Sequence, residues 1–125
     1  MRKFPVGAAV LALVLASIST PVLAMTVQEF LASAARIPRN PTALLRADTR
    51  RLIGEIRTAT ATVKREREAA VAAGRQPAFC PPEEKISISA DALLTRFNAI
   101  PSSRRNISVT QAMREWMVDR YPCRS

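Results

Sequence analysis

Two cysteines, Cys80 and Cys123, are the side chains with the most direct route to covalent chemistry. The chain has no histidine, which removes Ser-His-Asp and Cys-His nucleophilic engines and any histidine-containing metal site. Two cysteines cannot fill a zinc tetrad on their own. A reactive thiol at Cys80 would need a base beside it to hold a thiolate, and none is adjacent in sequence. Carboxylates come next: Glu83-Glu84 in a proline-flanked loop, and Glu66 with Glu68 in a charged run. Without an apolar pocket to drive their pKa values apart, such pairs are solvated charges, not an acid and its base. No glycine-rich phosphate cradle, nucleophile elbow or metal-ligand spacing is present. The expectation is a chain that is not an enzyme and that holds no cofactor and no metal.

The elements that must carry these residues fit one small domain, because 125 residues cannot bury two independent cores. Thr26 with Glu29 forms a capping-box pattern, and Val27, Phe30, Leu31 and Ala34 follow at helical spacing until Ile37-Pro38 stops the helix. Asn40-Pro41 then reads as N-cap and first turn of a long helix running to Ala73. Its apolar stripe is Leu45, Leu52, Ile56, Ala59 and Val63, with Gly74 as a left-handed C-terminal cap. A continuous helix of that length would run about 45–50 Å and project beyond the core; a bend near Gly54 is the alternative. Residues 75 to 86 read as ordered loop around Cys80. The alternating Lys85-Ile86-Ser87-Ile88-Ser89 has no partner strand and reads as an extended lead into a helix capped by Ser89, with Leu93, Leu94 and Phe97 inward. Ile100-Pro101 ends that helix, and 102–106 is a polar connector. Ser108 with Gln111 is a second capping box, opening a helix whose buried face is Ala112, Met113, Trp116, Met117 and Tyr121. The predicted fold class is all-α, a small bundle of about four helices, one of them long.

The N-terminus has the layout of a secretory signal: basic Arg2-Lys3, an apolar run from Val6 to Leu15, a break at Ser17–Pro21, and small residues up to Ala24. The apolar run is shorter than the ~20 residues of a spanning helix, so cleavage between Ala24 and Met25 is expected and no stable membrane anchor remains. Residues 1–24 are then the signal peptide and 25–125 a single helical domain delivered to the periplasm. There the two cysteines meet oxidising conditions, and a bond between them would close a loop of 44 residues.

The chain carries 19 basic against 10 acidic side chains, and cleavage would remove only Arg2 and Lys3 of the basic set. Beyond them, the cations are arginines except Lys64 and Lys85. For an exported protein the counterpart is an acidic protein or phosphate-rich headgroups, not nucleic acid. The plainer account is that arginine solubilises helix surfaces. Arg104-Arg105, in the connector between two helices, is the candidate partner contact, and Arg50-Arg51 is weaker. Trp116 with Met113 and Met117 could anchor an interface, but helical spacing on a capped helix favours core packing.

The stretch Phe79-Cys80-Pro81-Pro82-Glu83, Leu93-Leu94, Ile100-Pro101, Arg105, Ser108-Val109-Thr110-Gln111-Ala112 and Tyr121-Pro122-Cys123 resembles the C-terminal part of a known family. That family is the Rap/Tai-type periplasmic immunity proteins, which guard bacteria against type VI secretion amidase effectors. The likeness is strongest over 79–123. Members usually carry more cysteines and a Cys-x-x-Tyr-Ile-x-Gly stretch, of which Leu52-Ile53-Gly54 is a faint echo. The resemblance implies a helical fold, a Cys80–Cys123 bridge, and a protein partner, a peptidoglycan amidase effector whose cleft is occluded. A homodimer stays open. The alternative function is a structural or chaperone-like periplasmic protein holding acidic clients or the anionic envelope surface.

Overall fold

The computed structural model of the 125-residue chain describes residues 24–82 and 86–124. The signal-peptide expectation, up to residue 23, and the Glu83-Glu84 pair lie outside the described residues. Four α-helices make up the described fold: α1 Val27–Ala35, α2 Ala47–Ala72, α3 Ala90–Asn98 and α4 Val109–Arg120. Two 3₁₀ turns, Pro41–Leu45 and Ser102–Arg104, sit in the connections. An isolated antiparallel bridge between Thr26 and Ser108 is the only sheet-like pairing among the described residues. The all-α expectation holds.

The starts of α1, α3 and α4 carry side-chain caps. At α1 the capping box forms: Glu29 N donates to Thr26 Oγ1 at 3.1 Å and Thr26 N to Glu29 Oε2 at 3.2 Å. The other free donors of that first turn reach across the molecule, Val27 N to Ile107 O at 3.0 Å and Gln28 N to Arg105 O at 2.9 Å. Val109 N returns the favour to Met25 O at 2.9 Å, so α1 and α4 begin side by side. Ser89 Oγ accepts from Ala92 N and Ser108 Oγ from Gln111 N. The second capping box closes on one side only, because the Gln111 side chain is taken by Arg114 Nη1 at 2.9 Å.

The long helix is shorter than its stripe implied. Asn40 does cap, accepting from Thr42 N, but what it starts is a 3₁₀ turn that ends where Arg46 is extended, at φ −77° and ψ 139°. A new helix begins at Ala47, supported by Asp48 in its first turn. The break takes Leu45 out of register with the stripe: it is 77% exposed instead of buried. Gly54 lies inside α2 without interrupting it. Twenty-six residues give about 39 Å of helix. At the far end Gly74 adopts φ +71°, with Arg75 N bonded to Ala70 O and Gly74 N to Val71 O. These are the two hydrogen bonds of a Schellman cap.

The core gathers one face from every helix. Val27 and Phe30 of α1, Leu52, Ala59 and Val63 of α2, Leu93 and Phe97 of α3, and Val109, Met113 and Met117 of α4 are all buried in it. Phe30 and Phe97 meet edge to face at 5.4 Å between centroids, the favoured aromatic geometry. α2 packs most extensively on α4. Glu66 and Arg114 join the two helices across the surface by a two-pronged contact, at 2.7 and 2.8 Å. After Val63 no α2 residue belongs to the central cluster, although Ala70 is buried and Arg67 packs on Phe79.

Candidate functional site

The sequence candidates separate once placed. Cys80 and Cys123 are joined, S–S 2.06 Å, so neither sulfur is a thiol. Backbone contact supports the same junction, with Cys80 N donating to Tyr121 O at 2.8 Å. Arg67 stabilises the loop from below: its guanidinium lies 5.9 Å from the Phe79 ring centre and donates to Phe79 O. The staple therefore holds the end of α4 against the loop that follows α2.

Arg104 and Arg105 are neighbours in sequence with different surroundings. Arg105 turns inward and donates to Ile100 O at 2.9 Å and Asn98 O at 3.0 Å. It thereby satisfies carbonyls at the C-terminal end of α3, where a cation also suits the helix dipole. Arg104 remains at the surface, 55% exposed, and pairs with Glu115 of α4 at 2.8 Å. Trp116 is buried at 8% exposure with Arg120 over its ring, so it packs in the core and is not an exposed anchor. Met25 is also a core residue, while Ala24 just before it is exposed.

Glu66 and Glu68 each face a cation. Arg114, hydrogen-bonded to Glu66, holds that carboxyl below its usual range against a smaller opposing effect of burial, which keeps it charged. Glu68 faces Lys64 at 3.9 Å. Among the described residues no three His, Cys, Asp or Glu side chains cluster as metal ligands, and no helix is long and apolar enough to cross a membrane.

What the helices create between them is a groove of about 660 Å³ bounded by α1, α2 and the start of α3. α1 contributes Phe30, Leu31 and Ala34, and the chain after it Ile37, Pro38 and Arg39. α2 supplies Leu52, Ile53, Ile56 and Arg57, and the third wall is Ile88, Leu93 and Leu94. Among the described residues no carboxylate lines it. Thr49 Oγ1 is buried in the α2 wall and has no hydrogen-bond partner among the described residues. Leu31, Ile56 and Leu94, expected on core stripes, are only partly buried and form the groove's floor and sides. Ile53, 40% exposed, lies off the predicted stripe. A second cleft, about 760 Å³, runs from Val63 and Phe79 to Met113 and carries charges of both signs on Lys64, Arg67 and Glu68. Its character is mixed, whereas the first groove is apolar with cations at its rim. Compared with known proteins, the chain matches no family model, no curated protein and no solved structure.

Proposed function

We propose that this protein is an exported, periplasmic binding protein of the immunity type, which protects the cell by occluding the active-site cleft of a secreted peptidoglycan amidase. It works by shape and buried contact and performs no chemistry. The observation that carries the proposal is the bond between Cys80 and Cys123, which joins the two ends of the stretch through which the chain resembles the Rap/Tai-type proteins. Such a bond is characteristic of an oxidising compartment, and the basic, apolar, small-residue order of the first 24 residues suits delivery there. An apolar groove with few polar groups supplies a surface for a protein ligand.

Two experiments test this. Cell fractionation with N-terminal sequencing of the native protein is expected to find it in the periplasm starting at Met25; a full-length cytosolic chain would refute the export part. Periplasmic expression of amidase effectors from the same genome is expected to lyse cells lacking the protein and spare cells carrying it. Full survival of the deletion strain against every such effector would refute the immunity role.

One observation favours a second reading, a basic protein that holds acidic clients or the anionic envelope. Arg50, Arg51 and Arg57 of α2 are exposed and pair with no carboxylate among the described residues. Salt-sensitive co-sedimentation of the protein with anionic vesicles would support it, and no binding at low ionic strength would dismiss it.

A further inference from the structure

We infer that the groove between α1, α2 and α3 is the docking surface for an acidic amphipathic segment of another protein, apolar side chains inward and carboxylates outward. The inference rests on the reading that this protein acts by binding, and adds which face binds and what chemistry it takes.

Two observations converge. The groove's interior is aliphatic: Leu31, Ile37, Ile53, Ile56, Ile88 and Leu94 all contribute, none of them fully buried in the free chain. A face of this kind exposes apolar surface that the fold itself does not use. Among the described residues the only formal charges lining it are Arg39, from the segment after α1, and Arg57, from α2, and neither has a carboxylate partner there. Positive charge also continues along α2 at Arg50, seven residues before Arg57. Seven residues return a helix to nearly the same face, about 10 Å further along.

Charge decides between occupants. A second copy of this chain brings its own excess of cations, net +9 over the whole sequence, to a rim that is already positive. A flat lipid surface would meet the exposed arginines and leave the aliphatic groove unfilled. A peptide segment with leucines at helical spacing and glutamates beside them answers the channel and the rim together, the helix-in-groove mode of recognition.

The test uses the oxidised full-length domain after export and two synthetic fourteen-residue amphipathic peptides with one apolar face in common. One carries Glu on its polar face and the other Lys. Calorimetry and amide chemical shifts are expected to show the Glu peptide binding, with shifts confined to residues around Leu31, Ile53 and Leu94, and the Lys peptide not binding. Ile53→Asp and Arg57→Glu, both at exposed positions, should each weaken binding by about tenfold or more with unchanged circular dichroism. Arg51→Glu, outside the groove, should weaken it far less.

Equal binding of both peptides, or equal loss in Arg51→Glu and Arg57→Glu, would overturn the inference, because bulk charge would then be the cause. Capture by phosphatidylglycerol vesicles that depends on Ile53 and Arg57, or self-association abolished by Ile53→Asp, would overturn it in favour of lipid or a second copy. Cells spared from an amidase by a variant that has lost peptide binding would remove the groove and leave the immunity role standing. Peptide binding without any protection would support the groove and remove that role.

Discussion

Replacing both cysteines, Cys80→Ser with Cys123→Ser, is expected to leave the fold intact and make it much easier to unfold. The bond closes a loop spanning sequence separation 43, which holds α3, the connector and the whole of α4. Chain-entropy reasoning for a loop of that size gives about 4 kcal/mol of stabilisation, through a less disordered unfolded state. A domain of this size is expected to have about 5–15 kcal/mol in total, so the staple is a large fraction. The native contacts that the bond accompanies do not depend on it. Cys80 N still reaches Tyr121 O, Arg67 still covers Phe79, and Met113 and Met117 still fill the core.

The assay is urea unfolding followed by fluorescence of Trp116, the single tryptophan and a buried one. With an m-value of about 1–1.5 kcal/mol/M, the midpoint should fall by about 3 M. The m-value itself should rise, because an uncrosslinked chain exposes more surface when it unfolds. A midpoint change below about 0.5 M with an unchanged m-value would refute the loop-entropy argument and place the stability in the noncovalent junction. Loss of the native fluorescence before any urea is added would refute it from the other side, making the bond a condition of folding.

Three further outcomes follow from single side chains. Glu66 has its pKa lowered by Arg114, so the stability it contributes is complete above its ordinary value of 4.5 and is lost as pH falls through the lower folded value. At this partly exposed site the pair is worth about 0.5–1 kcal/mol, and thermal melts of Glu66→Gln should show a shallower acid-side decline than the wild type. Arg105→Ala, which uncovers the Ile100 and Asn98 carbonyls, should cost about 1–3 kcal/mol in urea unfolding, against about 0.5 kcal/mol or less for Arg104→Ala. Equal costs would contradict the different roles assigned to these neighbours. Glycine substitutions should have opposite signs: Gly74→Ala, at φ +71°, loses about 1–2 kcal/mol, whereas Gly54→Ala, with open space for a methyl, gains about 0.5–1 kcal/mol. Both are read as shifts in melting temperature.

Local chemistry made most of the helix ends legible. Thr26 with Glu29, Ser89, Ser108 and Gly74 each act through atoms a few residues away, so a sequence window contains the whole interaction. The break at Arg46 was not legible, because residues 42–46 hold neither glycine nor proline and Leu45 continues the apolar spacing. Only the packing of α2 reveals that Leu45 finds no place in the core. Gln111 has the right type for a capping box, yet Arg114 captures its side chain. The groove was hidden for a simpler reason. Its walls belong to three separate elements, and the residues that line it have the same types and spacing as residues that fill a core.

The placement of charge gives the molecule two unlike sides. Around α4 three ion pairs form, Glu66 with Arg114, Arg104 with Glu115, and Arg96 with Asp119 at 2.6 Å, and Arg120 lies over the Trp116 and Tyr121 rings. On the side of α1 and the first half of α2, Arg46 with Asp48 is the one ion pair among the described residues, while Arg39, Arg50, Arg51 and Arg57 are exposed beside uncovered aliphatic surface. Leu44 and Leu45 add to that surface at 67% and 77% exposure, in a turn whose flanking residues Arg39 and Thr49 both line the groove. A side that existed only to stabilise the fold would bury those leucines or replace them with polar residues, since exposed apolar side chains contribute nothing to folding. Unpaired like charges close together cost some stability as well. The core takes Val27, Phe30 and Leu52 from this side, so its inner face holds the fold while its outer face keeps a surface that is unfavourable alone and would suit the acidic, apolar partner proposed above. Raising salt should therefore stabilise the free protein slightly, by screening its arginines, while weakening its complex. If salt moved both in the same direction, the charge asymmetry would have no part in binding.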